Sequence, residues 1–198
     1  MQTWILIDYW NFSLEWRRRG YGDADWKRIP QEFAAATQHI LTAQGLTSPV
    51  ALQETRVYSS YEPGRDDSHK HWLSSFLDRQ PGVQVSIAER RWRQKAIHCR
   101  SCNTSTPTCP NCNELLGRAV EKTVDSQIVT DLMGLAWDGA YDLAILVTSD
   151  KDFIPAVEAV QRRGKKVVNA TWKGLGIELS TKCWAQFEVD ALVKHIQR

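Results

Sequence analysis

YDLAILVTSDKDFIPAVEAVQRRG, residues Tyr141 to Gly164, reads as a buried strand, a small acidic turn and a helix in succession. Leu143 to Val147 is an unbroken aliphatic run, which suits a strand covered on both faces, as in a parallel sheet. Thr148, Ser149, Asp150 and Asp152 end that run. Phe153, Val157 and Val160 then recur at helical spacing, Pro155 falls in the first turn, where its missing N–H is harmless, and Gly164 is a natural C-cap. Two carboxylates thus stand at the carboxyl end of a strand, the edge at which open α/β sheets place their ligands.

A carboxylate pair at one turn has a plain structural reading, with Asp152 as the N-cap of the helix and Asp150 as a turn former. The opening of the chain adds to it. Thr3 to Ile7 is a second short apolar strand that also ends in an acid, Asp8, followed by Tyr9, Trp10 and Asn11. Parallel strands ending in Asp at one edge of a sheet can bring three carboxylates together.

The rest of the chain alternates in the same way. Ser13 to Arg19 reads as a short helix, Pro30 to about Ala43 as a longer one closed by Gly45, and Val50 to Tyr58 as a strand. Asp66 to Asp78 carries Trp72, Leu73, Phe76 and Leu77 in helical register, and a strand from Gln84 to about Trp92 follows. Thr123 to Asp138 is a helix, Lys166 to Thr171 a strand, and Glu188 to Gln197 a final helix. Strands alternating with helices imply parallel pairing and a three-layer α/β/α domain over residues 1–198. Residues 95–117 break the rhythm: they are polar, turn-rich and rich in cysteine, without helical or strand periodicity, and read as an inserted module.

At 198 residues the chain can bury a real core. It carries no apolar run near the roughly 20 residues a membrane span needs and no visible secretory signal, so a soluble, cytoplasmic protein is expected. A net charge of +2 does not announce a nucleic-acid partner. The distribution says more, because cations gather at Arg17 to Arg19, at Arg90, Arg91, Arg93 and Lys95 around Trp92, at Arg100, and from Arg162 to Lys166. A solvated face is the ordinary reading of such clusters, and Arg162 and Arg163 also suit a helix C-terminus. The stretch Arg90 to Lys95 differs by interleaving an aromatic with cations ahead of the cysteines. Trp is frequent, at 9 residues; exposed rings could stack on bases, while most belong in or near the core.

Cys99, Cys102, Cys109 and Cys112 form C-x2-C-x6-C-x2-C. Two thiolate pairs at this spacing can clasp one Zn²⁺ tetrahedrally, and four sulfurs leave no open position, so the site is expected to be structural. Disulfides are the weaker reading in a chain without an export signal. Cys183 stands alone and reads as a small buried hydrophobe, and His98, His69 and His71 show no ligand spacing.

Asp125, in EKTVDSQIVTDL, precedes Ile128, Val129, Leu132 and Ala136 at i+3, i+4, i+7 and i+11, which puts it on the stripe expected to face the sheet. The structural alternative is a first-turn acid favoured by the helix dipole. Asp131 falls on the outer face and reads as solvated. Gathering Asp8, Asp125, Asp150 and Asp152 without a cation is costly: two unit charges ~4 Å apart repel by roughly 4 kcal/mol at an effective dielectric of about 20. An all-acid site without His favours Mg²⁺ or Mn²⁺.

Asp8 with Asn11, the EKTVD segment Glu121 to Asp125, LVTSDKDF from Leu146 to Phe153, and the basic GKKV from Gly164 to Val167 together resemble the NYN domain family of PIN-like nucleases, more narrowly its LabA-like branch. The resemblance covers nearly the whole chain, with the S-D-x-D-F turn and the preceding V-D helix as its most specific part. It implies a PIN-like, Rossmann-like α/β/α fold with a central parallel sheet and metal-dependent cleavage of RNA. By that likeness the metal acids are Asp8, Asp125, Asp150 and Asp152, with Asn11 and Ser149 as polar supports. The cysteine module is an addition the family does not require, and Tyr9 and Trp10 are bulkier than is common after the first Asp.

The expected function is a divalent-metal-dependent endoribonuclease, with Lys122 steadying a phosphate and Arg90, Arg91, Trp92, Arg93 and Lys95 gripping the strand. The alternative is a nuclease-like fold that binds RNA or regulates a protein without cutting. A homodimer or another protein partner stays open. A haloacid-dehalogenase-like phosphatase would need a second Asp two residues after the first, where Trp10 stands.

Overall fold

The computed structural model describes residues 1–120 and 123–198, the side chain of Ala119 excepted. In chain order it has β1 (Gln2–Asp8), α1 (Tyr9–Arg18), α2 (Ile29–Ala43), β2 (Ala51–Tyr61), α3 (Asp67–Trp72), which runs on into one π turn (Leu73–Leu77), and β3 (Val83–Glu89). The insertion follows with β4 (Arg91–Gln94), β5 (Ile97–His98), β6 (Ser105–Thr106) and β7 (Gly117–Val120). Then come α4 (Val124–Trp137), β8 (Leu143–Val147), α5 (Ile154–Arg162), β9 (Lys166–Thr171), α6 (Ile177–Ser180), β10 (Ala185–Glu188) and α7 (Val193–Ile196).

Six strands form one sheet in the order β10-β9-β8-β1-β2-β3, and every neighbouring pair is parallel. Period-2 alternation sends each strand's residues to opposite faces. Ile5, Ile7, Val57, Ile145, Val147 and Val168 join Phe12, Phe33 and Leu41 of α1 and α2 in one core. Leu6, Tyr58, Ala144, Leu146 and Val167 join Ile128, Leu132, Val157 and Val160 of α4 and α5 in the other. This is the expected three-layer α/β/α arrangement around a central parallel sheet.

The chain moves from β1 outward through β2 to β3, then returns to place β8 on the other side of β1 and moves outward again. The strand order therefore reverses between β1 and β8. At such a reversal the loops leaving the two strands diverge and leave a crevice above their carboxyl ends. Asp8 and the Thr148–Asp152 turn both lie there.

Several elements depart from the sequence expectations. Helix α1 starts at Tyr9, not Ser13, because Asp8 itself caps it. The strand expected from Gln84 to Trp92 ends at Glu89, and Arg91–Gln94 turns away to pair antiparallel with Gly117–Val120. The insertion thus has strand structure that its sequence did not announce, including the short β5–β6 pair. Strand β10 lies between the Lys166–Thr171 strand and the final helix, where the sequence suggested no element, and the final helix shortens to α7 behind a 3-10 turn (Val189–Leu192).

Candidate active site at the strand reversal

Asp8 ends β1 with its Oδ1 accepting from the backbone N–H of Asn11 at 3.1 Å, an N-cap bond that satisfies one free donor of α1. Its Oδ2 accepts from the Thr148 hydroxyl at 3.3 Å, so the carboxylate is held by both strands of the reversal. Asn11 in turn accepts through Oδ1 from the backbone N–H of Ser149 at 3.0 Å. Asp150 accepts from the backbone N–H of Asp152 at 2.9 Å and caps the one-turn 3-10 helix Lys151–Phe153. The cap expected of Asp152 is therefore made by Asp150, which leaves the Asp152 side chain exposed.

Burial pushes the Asp8 carboxyl up to about 6 from 3.8, offset in part by the Asn11 N–H and the Thr148 hydroxyl and reinforced by the charges of Asp125 and Asp150. The charges of Asp125 on α4 and Asp150 in the β8 turn therefore both reach Asp8. Asp125 does not face the sheet as expected: the buried stripe of α4 is Val124, Ile128, Leu132 and Ala136, and Asp125 is exposed beside it in the first turn. The α-helical period of 3.6 makes i+3/i+4 counting from Val124 fit better than counting from Asp125. Among the described residues, no three His, Cys, Asp or Glu side chains are gathered tightly enough to hold a metal ion.

A buried polar scaffold stands beneath the turn, and sequence reasoning missed it. Asn169 Nδ2 donates to the carbonyls of Leu146 and Thr148, both at 2.9 Å, and its Oδ1 accepts from the Ser180 hydroxyl at 2.7 Å. A fully buried polar residue in VVNAT was the available signal. Ser149 Oγ lies 3.0 Å from Thr171 Oγ1. Gly176, at φ +62°, packs so closely here that a Cβ would sit 2.7 Å from Thr171 Oγ1 and 2.9 Å from Ser149 Cα.

The basic residues divide. Arg90 pairs with Asp66 and lies over the Trp10 ring at 5.1 Å, so it is fixed in the fold. Arg91, Trp92, Arg93 and Lys95 are exposed on the hairpin that carries the insertion. Lys122 lies outside the described residues. Arg18 and Arg19 pair with Glu15, and Arg19 also with Asp190. Asp131 is not solvated as expected: it accepts from Tyr58 Oη at 2.5 Å and pairs with Arg56 at 2.8 Å.

The cysteines form two like turns. The Asn103 N–H donates to the Cys99 carbonyl and the Asn113 N–H to the Cys109 carbonyl, each at 2.9 Å. Asn103 and Asn113 share φ 58°, the left-handed conformation that Asn tolerates. The Cys102 thiol is pulled down to about 7 by the Thr104 hydroxyl and N–H and by the Cys99 thiol. Cys109 is lowered by the N–H groups of Asn111 and Cys112 and by the Cys112 thiol. Backbone N–H groups aimed at sulfur favour thiolate, the form that binds metal.

The NYN domain family profile matches residues 2–187. A solved structure of a protein of unknown function from Vibrio parahaemolyticus is similar at 19% identity and a TM-score of 0.57, covering 96% of this chain and 93% of that one. That likeness speaks to the fold alone. No curated protein matches the chain in sequence. Among the described residues no helix is long and apolar enough to cross a membrane.

Proposed function

Since the chain belongs to the NYN domain family, we propose that it is a metal-dependent endoribonuclease, in which Asp8, Asp125, Asp150 and Asp152 hold Mg²⁺ or Mn²⁺. The observation that supports this reading is that Asp8 and the Asp150 turn end the two strands of the reversal, tied together through Thr148 and Asn11, with Asp125 within electrostatic range of Asp8. An oxygen-only donor set fits hard divalent cations.

A bound cation of this kind lowers the pKa of a water and stabilises charge on a phosphate. The protein's own part is positional. Asn11 and Thr148 hold the β1 and β8 ends together, Ser149 is braced against Thr171, and Asp8 would hold the ion in its carboxylate form. Arg91, Trp92, Arg93 and Lys95 supply electrostatic grip and stacking on the RNA. Cys99, Cys102, Cys109 and Cys112 would hold one structural Zn²⁺ as thiolates, and four sulfurs would leave it no open position.

Single-stranded RNA incubated with the protein should be cut in Mn²⁺ or Mg²⁺ and spared in EDTA, and Asp150→Ala should abolish cutting while the thermal melt stays cooperative. Full activity in Asp150→Ala, or binding of RNA with no metal-stimulated cleavage, rejects the ribonuclease reading; the second result favours a binding protein on this fold.

A further inference from the structure

We propose that the cleft beside α1 seats one unpaired nucleobase of the RNA, next to the carboxylate site. This rests on the ribonuclease reading and names where the strand is held. The cleft has a volume of about 760 Å³, within the usual range of small-molecule sites. Its lining includes Tyr9, the residue directly after Asp8 in the chain.

Its lining combines two chemistries. Tyr9, Ser13 and Arg17 recur every fourth residue along α1 and form one polar stripe into the cleft. The Arg17 charge acts on both Tyr9 and His69. The remainder is chiefly aromatic: Trp26 and Tyr9 are buried against each other at 5.3 Å and 20°, and the ring surface left accessible belongs to the half-buried Tyr21, His69, Trp72 and Phe76. Planar faces with polar edges beside them are what a base requires, since stacking accepts any base and hydrogen bonds meet its rim.

The charged residues of the lining are Arg17, Arg198 and Asp23. Of the three arginines 17–19, Arg18 and Arg19 are committed to Glu15 and Asp190. Arg17, exposed at the cleft, has no ion-pair partner among the described residues, which suits it to a backbone phosphate. The bulky pair Tyr9–Trp10, unusual after the first acid, has a use on this reading. Tyr9 floors the cleft while Trp10 is tied to the Ser60 carbonyl at 2.8 Å.

The test uses the full chain in EDTA, so that binding is read without cutting. An octameric oligouridylate and an abasic oligomer of equal length and charge are titrated while intrinsic Trp fluorescence is followed. The base-bearing oligomer should quench fluorescence and bind about tenfold more tightly than the abasic one, the value of one base–aromatic stack. Trp72→Ala should collapse that ratio toward one, and Arg17→Met, a surface change, should weaken both oligomers several-fold. Equal affinity for the two oligomers, or an unchanged ratio in Trp72→Ala with unchanged affinity in Arg17→Met, overturns the inference. A protein that binds through the cleft yet never cuts defeats only the ribonuclease reading. One that cuts with full efficiency in both variants defeats only the cleft.

Discussion

Asn11 Oδ1 accepts the backbone N–H of Ser149 at 3.0 Å, and this single bond joins the first turn of α1 to the acidic turn after β8. Asn11→Ala leaves that donor without its partner, a loss worth ~1–3 kcal/mol when water cannot replace it. Because the turn carries Asp150, the substitution should also lower cleavage by up to about 10²-fold through misplacement. Urea denaturation and single-turnover cleavage measure the two effects. Unchanged stability and rate would show that the bond positions nothing.

The raised Asp8 carboxyl gives the metal-free protein a distinct pH profile. A carboxyl near 6 in the fold and 3.8 as its ordinary value means that the folded state binds this proton more tightly. Its contribution is therefore favourable below pH ~4, is lost as pH rises through ~6, and amounts to ~3 kcal/mol at most across that window. Thermal melts in EDTA should show stability falling between pH 4 and 6, and Asp8→Asn should flatten that slope. Mn²⁺ should raise Tm more at pH 7.5 than at pH 5, because the ion competes with the proton.

Gly176→Ala places a methyl 2.7 Å from Thr171 Oγ1 and 2.9 Å from Ser149 Cα, in a left-handed backbone that disfavours any side chain. The strain should cost ~1–3 kcal/mol, and because Ser149 is the atom group displaced, cleavage should fall as well. Gly174→Ala, whose added Cβ meets nothing within 4 Å, is the control: it shares a positive φ without the close approach. Chemical denaturation of both variants separates backbone strain from collision with the site.

Zinc is expected to fold the insertion and leave the sheet untouched. Elemental analysis should find one Zn²⁺ per chain, reduced to near zero in the double variant Cys102→Ser, Cys109→Ser. The main thermal transition should stay in place, since the module is joined to the sheet through the antiparallel β4–β7 hairpin. Zinc content unchanged by both substitutions would remove the metal from this module.

The parallel core was legible because burial on both faces leaves an unmistakable apolar run, as in Leu143 to Val147 and Thr3 to Ile7. Asp8 and Asp150 could be placed at one sheet edge because those runs end at or just before them, whereas Asn11 and Ser149 came only with the family likeness. The turn between the strands was harder. Asp150 rather than Asp152 makes the cap, because a one-turn 3-10 helix intervenes before α5 and shifts the cap two residues back. Asp125 was assigned to the sheet-facing stripe because Val124, its neighbour, fits the same periodicity almost as well. Asp131 appeared solvated because its partners, Arg56 and Tyr58, come from a distant strand that local spacing cannot place. Asn169 was hidden by the same non-locality, since its meaning lies in carbonyls of β8 and in Ser180.

The position of β1 between β2 and β8 has a consequence for how the protein is made. During synthesis β1, β2 and β3 leave the ribosome well before β8 exists. Until it arrives, one side of β1, whose Ile5, Leu6 and Ile7 end fully covered, is a bare template for wrong pairing. The polar cysteine-rich segment is translated in that interval. A nascent or truncated chain that stops short of β8 has neither a sealed sheet nor the crevice above β1 and β8, so Asp8 and Asp150 come to one edge only after β8 is in place.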